Sequence, residues 1–306
     1  LPKLQRLTGS VSGRLALSGT IGEPRTDGRM ELKDGGFEFS PSTPAVKQTE
    51  AVLAFDGTHM RIEHFQGCLG TGTFQISGNV GLSTFSNPAW DLQIHGGKIP
   101  VVRNADVRLN ANVDATLKGD NTAGTVQGSL RFVDSRIAKR LAITPVLLDA
   151  PEEATQAMFL PPFAPGSVPD PFSRWTLNLK IENETPLLIP GKITPGEIIP
   201  KITLQGTLDQ PVPVGRITLN DVQVFLPSAT LDIPEGRLDF LPDAPWIPFL
   251  DVRGKAQMPD IVVQAYAFGP LNEKKLILQS DPPVAREALI LLLSTRITSE
   301  GKSYRI

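Results

Sequence analysis

The sequence predicts an all-β fold of many short antiparallel strands, and three observations carry that prediction. First, a Gly-x4-Pro-x3-Gly spacing occurs in two distant places. Gly19, Pro24 and Gly28 stand between Leu15-Ala16-Leu17 and Met30-Glu31-Leu32, and Gly206, Pro211 and Gly215 stand between Ile202-Thr203-Leu204 and Ile217-Thr218-Leu219. A pattern repeated at that distance marks a repeated supersecondary unit. Second, apolar residues fall at every second position along most of the chain, the period of a half-buried strand. Third, 27 glycines and 28 prolines punctuate the alternation. That content exceeds ordinary usage but stays below the roughly 25% that signals disorder, so it suits many turns joining many strands.

In chain order, Leu15, Leu17 and Ile21 share one parity while Arg14, Ser18 and Thr20 take the other. The same alternation continues at Met30 and Leu32, at Phe37 and Phe39, at Phe74, Ile76 and Val80, at Val113 and Leu117, and at Val126, Leu130 and Phe132. Asp34-Gly35-Gly36, Asp56-Gly57 and Gly96-Gly97 read as hairpin turns, so successive strands should pair antiparallel as a meander. Residues 145–172 hold seven prolines around Met158-Phe159-Leu160, which excludes a central strand and predicts a long connection or a flap over the apolar face. Strands resume at Leu177, Leu179 and Ile181, pass through the second glycine copy, and continue at Val222 and Val224. Finally, Asp281 as N-cap and Pro282 at the first helical position predict a short helix leading into Leu289-Ile290-Leu291-Leu292-Leu293, packed against the end of the sheet. The chain therefore divides into a repeated β-segment at 1–144, an insert at 145–172, a continued β-segment at 173–279, and a helix with a tail at 280–306.

Glycines placed within strands, at Gly19, Gly78, Gly119, Gly206 and Gly254, mark bulges, bends or close approaches of backbone. A bend repeated at the same place in each unit would curl the sheet into a trough lined with hydrocarbon. A second sheet laid over the apolar face, making a sandwich with a dry core, accounts for the same alternation. In the trough, the lining falls to Leu15, Leu17, Ile21, Met30, Leu32, Phe37, Leu204, Leu208, Ile217, Leu219 and Val224.

Charge is nearly balanced, with 30 basic and 32 acidic residues and no long run of either sign, which argues against nucleic acid as a partner. Cys68 is the single cysteine, so no intramolecular disulfide framework exists. No stretch approaches the roughly 20 apolar residues that cross a bilayer as a helix, and the opening at Leu1 within strand-like sequence suggests a fragment. His59, His64 and Cys68 superficially offer metal ligands, but on a strand and turn their spacing does not converge, and zinc usually asks for four ligands or three plus water. No metal or cofactor is expected. Gly-x-Ser-x-Gly, phosphate-loop and His-Glu-x-x-His patterns are all missing, and nothing asks for catalysis.

Two further stretches join the glycine copies in a resemblance. Gly236-Arg237-Leu238-Asp239-Phe240 leads to Pro248-Phe249-Leu250-Asp251-Val252, and Leu276-Ile277-Leu278-Gln279-Ser280-Asp281-Pro282-Pro283 leads to Glu287 and Leu291-Leu292-Leu293. Together they resemble the C-terminal region of the TamB family, within the AsmA-like superfamily; Ser280, Pro282, Pro283, Glu287, Leu291 and Leu292 carry its terminal motif, while Arg286 and Thr295 depart from it. The resemblance implies an elongated curled antiparallel β-sheet, a half-pipe or β-taco with a hydrophobic concave groove, in place of the sandwich. It further implies the periplasmic part of an inner-membrane-anchored protein, whose anchor is not in this fragment, working with an outer-membrane barrel of the TamA or BamA type. Phospholipid acyl chains or unfolded outer-membrane proteins would be the cargo, without an enzymatic step. A chloroplast relative would look similar.

Overall fold

The computed structural model describes residues 6–20, 24–38, 45–84, 86–104, 106–138, 141–142, 168, 170–192, 195–294, 296–297 and 303–304. The strands are β1 (Arg6–Gly19), β2 (Pro24–Glu38), β3 (Val46–Gly57), β4 (His59–Leu69), β5 (Gly72–Gly81), β6 (Ala89–Arg103), β7 (Val107–Gly119), β8 (Gly124–Ile137) and β9 (Leu141–Ala142). They continue with β10 (Thr176–Asn183), β11 (Leu187–Ile189), β12 (Gly196–Gly206), β13 (Pro211–Phe225), β14 (Thr230–Phe240), β15 (Phe249–Gln257), β16 (Val262–Pro270) and β17 (Lys275–Asp281). Helix α1 (Arg286–Ser294) follows, then the small pair β18 (Arg296–Ile297) and β19 (Ser303–Tyr304).

Seventeen strands form one sheet. β1 to β8 make an antiparallel meander, and β12 to β17 make a second. Between them β10 and β11 run parallel to β8 and antiparallel to β12. The expected unbroken meander is therefore corrected at this seam. A parallel neighbour needs a crossover of about a dozen residues or more, and the proline-rich segment supplies that length. Most of 145–172 lies outside the described residues, so the expected flap does too.

Both glycine copies are the same hairpin. Gly19 pairs with Pro24 and Gly206 with Pro211, with φ of 85° and 88° at the two leading glycines. At the trailing glycines φ is 145° and 134°, and a Cβ there would sit 2.1 Å from the Arg14 carbonyl oxygen at Gly28 and 2.2 Å from that of Lys201 at Gly215. Only glycine admits such an approach. A third copy, unnoticed in the sequence, joins β7 to β8: Gly119 pairs with Gly124, and Gly128 repeats the clash, 2.0 Å from the Asp114 oxygen. Glycine replaces proline at Gly124 because the Trp175 ring lies 2.3 Å from where its Cβ would be.

Register aligns the apolar residues into rows that cross strand after strand. One row runs Val11, Leu32, Ala51, Phe65, Ile76, Ile94 and Ala115. Another runs Leu187, Ile198, Leu219, Gly236, Val252, Ala267 and Leu276. The reverse face carries Arg14, Arg29, Ala54, Arg61, Asn79, Asp91 and Lys118 in one such row. Among the described residues the only other sheet is the two-stranded β18–β19, so no second sheet covers the apolar face. The sandwich is excluded. The fold is the all-β, curled, open half-pipe, and most side chains on its apolar face are half-buried by one another.

Two expected turns prove to be strand interior. Asp34-Gly35-Gly36 lies within β2 and Gly96-Gly97 within β6, each beside a register shift. The helix also starts later than expected, at Arg286. Asp281 still pairs with Val262, and a residue before proline avoids the α region, so the chain stays extended through Asp281.

Candidate functional site: an apolar groove

Simple alternation would flip the apolar residues to the wet face wherever the pattern slips by one. Five residues in the left-handed region prevent this: Asp34 (φ 51°), Gln48 (φ 51°), Lys98 (φ 52°), Asp134 (φ 46°) and Asp221 (φ 50°). The first four sit at register shifts, each a bulge that absorbs one residue. Leu32 and Phe37 therefore share a face despite opposite parity, as do Gly96 and Ile99, and Leu219 and Val222, on either side of Asp221, pack in one cluster. Val222, Val224 and Ile233 then form a buried cluster with Leu219, Leu231 and Val252 against it.

The groove has unlike margins. Along one margin, the turn ends hold all three tryptophans of the chain. Trp175 is fully buried, donates its indole N–H to the Asp120 carbonyl at 3.0 Å, and meets Phe172 edge-on at 5.2 Å, with Trp90 6.2 Å beyond. Trp246 donates to the Pro211 carbonyl at 3.1 Å. On the opposite margin α1 lies against the ends of β13 to β17. Its Leu289 and Leu293 are buried with Ala256 and Val263, packed by Leu226, Ala229, Met258 and Ile261.

Of the lining residues expected from the sequence, Leu15 and Leu17 lie on β1, 40% and 67% exposed. Met30, Leu32 and Phe37 are half-buried on β2, and Leu204, Ile217 and Leu219 are half-buried on β12 and β13; Val224 is buried. Ile21 lies outside the described residues. Leu208 sits in the turn between β12 and β13, where its N–H donates to the Trp175 carbonyl at 3.0 Å. In the terminal motif, Ser280 Oγ donates to the Pro282 carbonyl at 2.8 Å and accepts from the Val284 N–H at 3.0 Å. Pro282, Pro283, Glu287 and Leu291 are exposed, while the Leu292 carbonyl accepts from Ser228 Oγ at 2.6 Å. Sequence reasoning placed Leu289 and Leu293 in a helix packed against the end of the sheet without singling them out; their i, i+4 spacing puts them on one helix face. It missed Leu53, Ile62 and Leu92 in the middle of the groove, which join Leu117 in a row from Met30 to Val126.

A network of paired charges lies on the wet face. His95 Nδ1 and Asp114 lie 2.7 Å apart, Arg131 reaches Asp114 at 2.6 Å and Glu184 at 3.3 Å, and Asn112 donates to Glu184 at 2.7 Å. Hydrogen bonds from His95 and Arg131 hold the Asp114 carboxyl below its ordinary range, and Asp114 in turn raises Arg131. Lys98 is raised by its hydrogen bond to Asp134. His59 and Cys68 meet Thr58 and Gln48, and among the described residues no three His, Cys, Asp or Glu gather as a metal site. No helix among them is long and apolar enough to cross a membrane.

Residues 63–304 match the family model described as the TamB C-terminal domain. No curated protein and no solved structure matches the chain.

Proposed function

We propose, from the premise that this chain belongs to the TamB C-terminal domain family, that its groove is a conduit for phospholipid between the inner and outer membranes. The family's general role is in outer-membrane assembly and lipid transport, as a transport and assembly module without an enzymatic step. The observation that carries the finer reading is the apolar face itself, aligned from β1 to β17 and, among the described residues, free of any covering sheet. Acyl chains would lie along it with the headgroup in water at the open mouth. Each buried methylene is worth about 0.8 kcal/mol, so two chains would be retained yet would slide, because no single pocket holds them. With strands about 4.8 Å apart, and with β10 and β11 sharing the place between β8 and β12, the sheet offers a path on the order of 70 Å from β1 to β17. The setting is the periplasm, within an inner-membrane-anchored protein, with an outer-membrane barrel of the TamA or BamA type as partner.

A photo-crosslinker at Ile94, in mid-groove, should capture phospholipid in cells, and Leu92→Asp, two residues along the same strand and on the same face, should reduce that capture at least tenfold. Failure to capture lipid at Ile94 would refute the conduit.

A second reading, as a chaperone for strands of outer-membrane proteins, is favoured by one observation. β1 is a 14-residue edge strand, exposed throughout, whose Leu7 and Leu17 are 71% and 67% exposed. Such an edge can accept a further strand by main-chain hydrogen bonds. Crosslinks from β1 to nascent barrel proteins, with none to lipid from Ile94, would favour it.

A further inference from the structure

Beyond Gly97, β6 has no pairing with β5 and continues to Arg103 beside β7 alone, so the β6–β7 hairpin runs past the end of its neighbour. Val102 pairs with Leu109 and Val107 with Ile137, which keeps those four on the apolar side. The residues between them face the other way. There Arg103 stands directly opposite Arg108, Arg108 opposite Arg136, and Arg136 beside Leu188 of β11.

All three arginines are exposed, and among the described residues no hydrogen bond or ion pair engages the side chain of any of them. Asp134, close in sequence, is taken by Lys98 at 2.6 Å. Asp106 lies in the hairpin turn and Glu197 opposite Leu188 on β12, two carboxylates against three guanidinium groups. Like charges directly opposite on a sheet, with Cβ atoms about 5 Å apart, oppose folding. Such a row is relieved by an external anion. Beside it lie two exposed aliphatic side chains, Leu188 at 42% and Val101 at 45%.

Guanidinium groups interleaved with exposed aliphatics on an outward surface match a layer that is anionic at its surface and apolar just beneath. We infer that the Arg103–Arg108–Arg136 row, with Leu188 and Val101, docks the wet face of the sheet onto a bilayer rich in net-anionic phospholipid. This surface is separate from the groove and does not depend on the groove carrying lipid.

The test is flotation of the purified chain with two sets of vesicles, pure phosphatidylcholine and phosphatidylcholine with one-third phosphatidylglycerol. The chain should bind the anionic vesicles alone, and release as salt rises from about 0.05 to about 0.5 M, where screening shortens to a few ångströms. Arg103→Gln, Arg108→Gln and Arg136→Gln together should weaken binding about 100-fold, since each charge near an anionic surface contributes about fivefold. The corresponding triple Lys variant should bind like the parent, because a bilayer reads charge rather than guanidinium geometry. Far-UV circular dichroism establishes that both variants fold. Equal binding to neutral vesicles overturns the inference, as does undiminished binding by a folded glutamine triple or loss of binding by a folded lysine triple. Uptake of lipid into the groove would survive the glutamine changes, so a failure here is distinct from a failure of the conduit.

Discussion

At Gly28 and Gly215 the missing Cβ is a structural requirement. Each sits at the same position of an equivalent hairpin, with positive φ and a partner carbonyl oxygen 2.1 Å and 2.2 Å from where a Cβ would be. Alanine there must push two paired strands apart as well as adopt an unfavourable backbone. Gly28→Ala and Gly215→Ala should each destabilise the protein by roughly 2 kcal/mol, the range of strained backbone sites. Gly57→Ala, whose Cβ would meet nothing within 4 Å, suffers the φ penalty alone and should lose less. Urea titrations of the three variants measure the ranking; equal losses would show that the close approach is unimportant. These glycines were legible in the sequence because Gly-x4-Pro-x3-Gly is local and repeats. The copy at Gly119, Gly124 and Gly128 was not, because its middle residue answers to Trp175, which is 51 positions away in the chain and adjacent only once β10 lies beside β8.

Among the elements, the strands were readable from their period and the bulges were not. A one-residue phase slip looks like noise in an alternating pattern, and Asp34-Gly35-Gly36 has the composition of a turn. Whether such a trio turns the chain or absorbs a residue is decided by pairing with β1 and β3 on either side, not by the trio itself. The parallel seam at β8 and β10 was hidden for a related reason, since strand direction depends on where the crossover returns. Helix α1 shows the same limit. From Ala288 to Leu293 every residue is apolar, so the run cannot declare which side faces the sheet. The contacts select Leu289 and Leu293, with Leu291 half exposed at 51%. Leu289→Ala should therefore cost about 2–5 kcal/mol by opening a cavity against Ala256 and Val263. Leu291→Ala should stay within about 0.5 kcal/mol, as exposed substitutions do. Thermal melts of the pair give the answer, and a larger loss at Leu291 would mean that α1 presents its other face.

Over the whole molecule, an open sheet has no single core, and each strand depends chiefly on its two neighbours, much as repeats do in a solenoid. Buried clusters concentrate at the β13–β17 end, where Val222, Ala256, Val263 and Leu289 are all fully buried. At the other end every residue of β1 is exposed and its apolar row is open to water. Cooperativity should then fade along the sheet, and local opening should be easiest where burial is least. Hydrogen exchange measured by mass spectrometry should show protection rising from β1 toward β14–β16, in steps that follow strand order. A single-chain detergent below its micelle concentration should slow exchange most in β1 to β8, because that half has apolar surface to fill and, among the described residues, no helix over it. Uniform protection across the seventeen strands would mean that the sheet opens as one unit. Detergent protection confined to the α1 end would place the accessible hydrocarbon under the helix instead of along the groove. The expected gradient follows from the same geometry that makes the face a track: a surface continuous enough for a chain to slide on is one that the protein leaves unfilled.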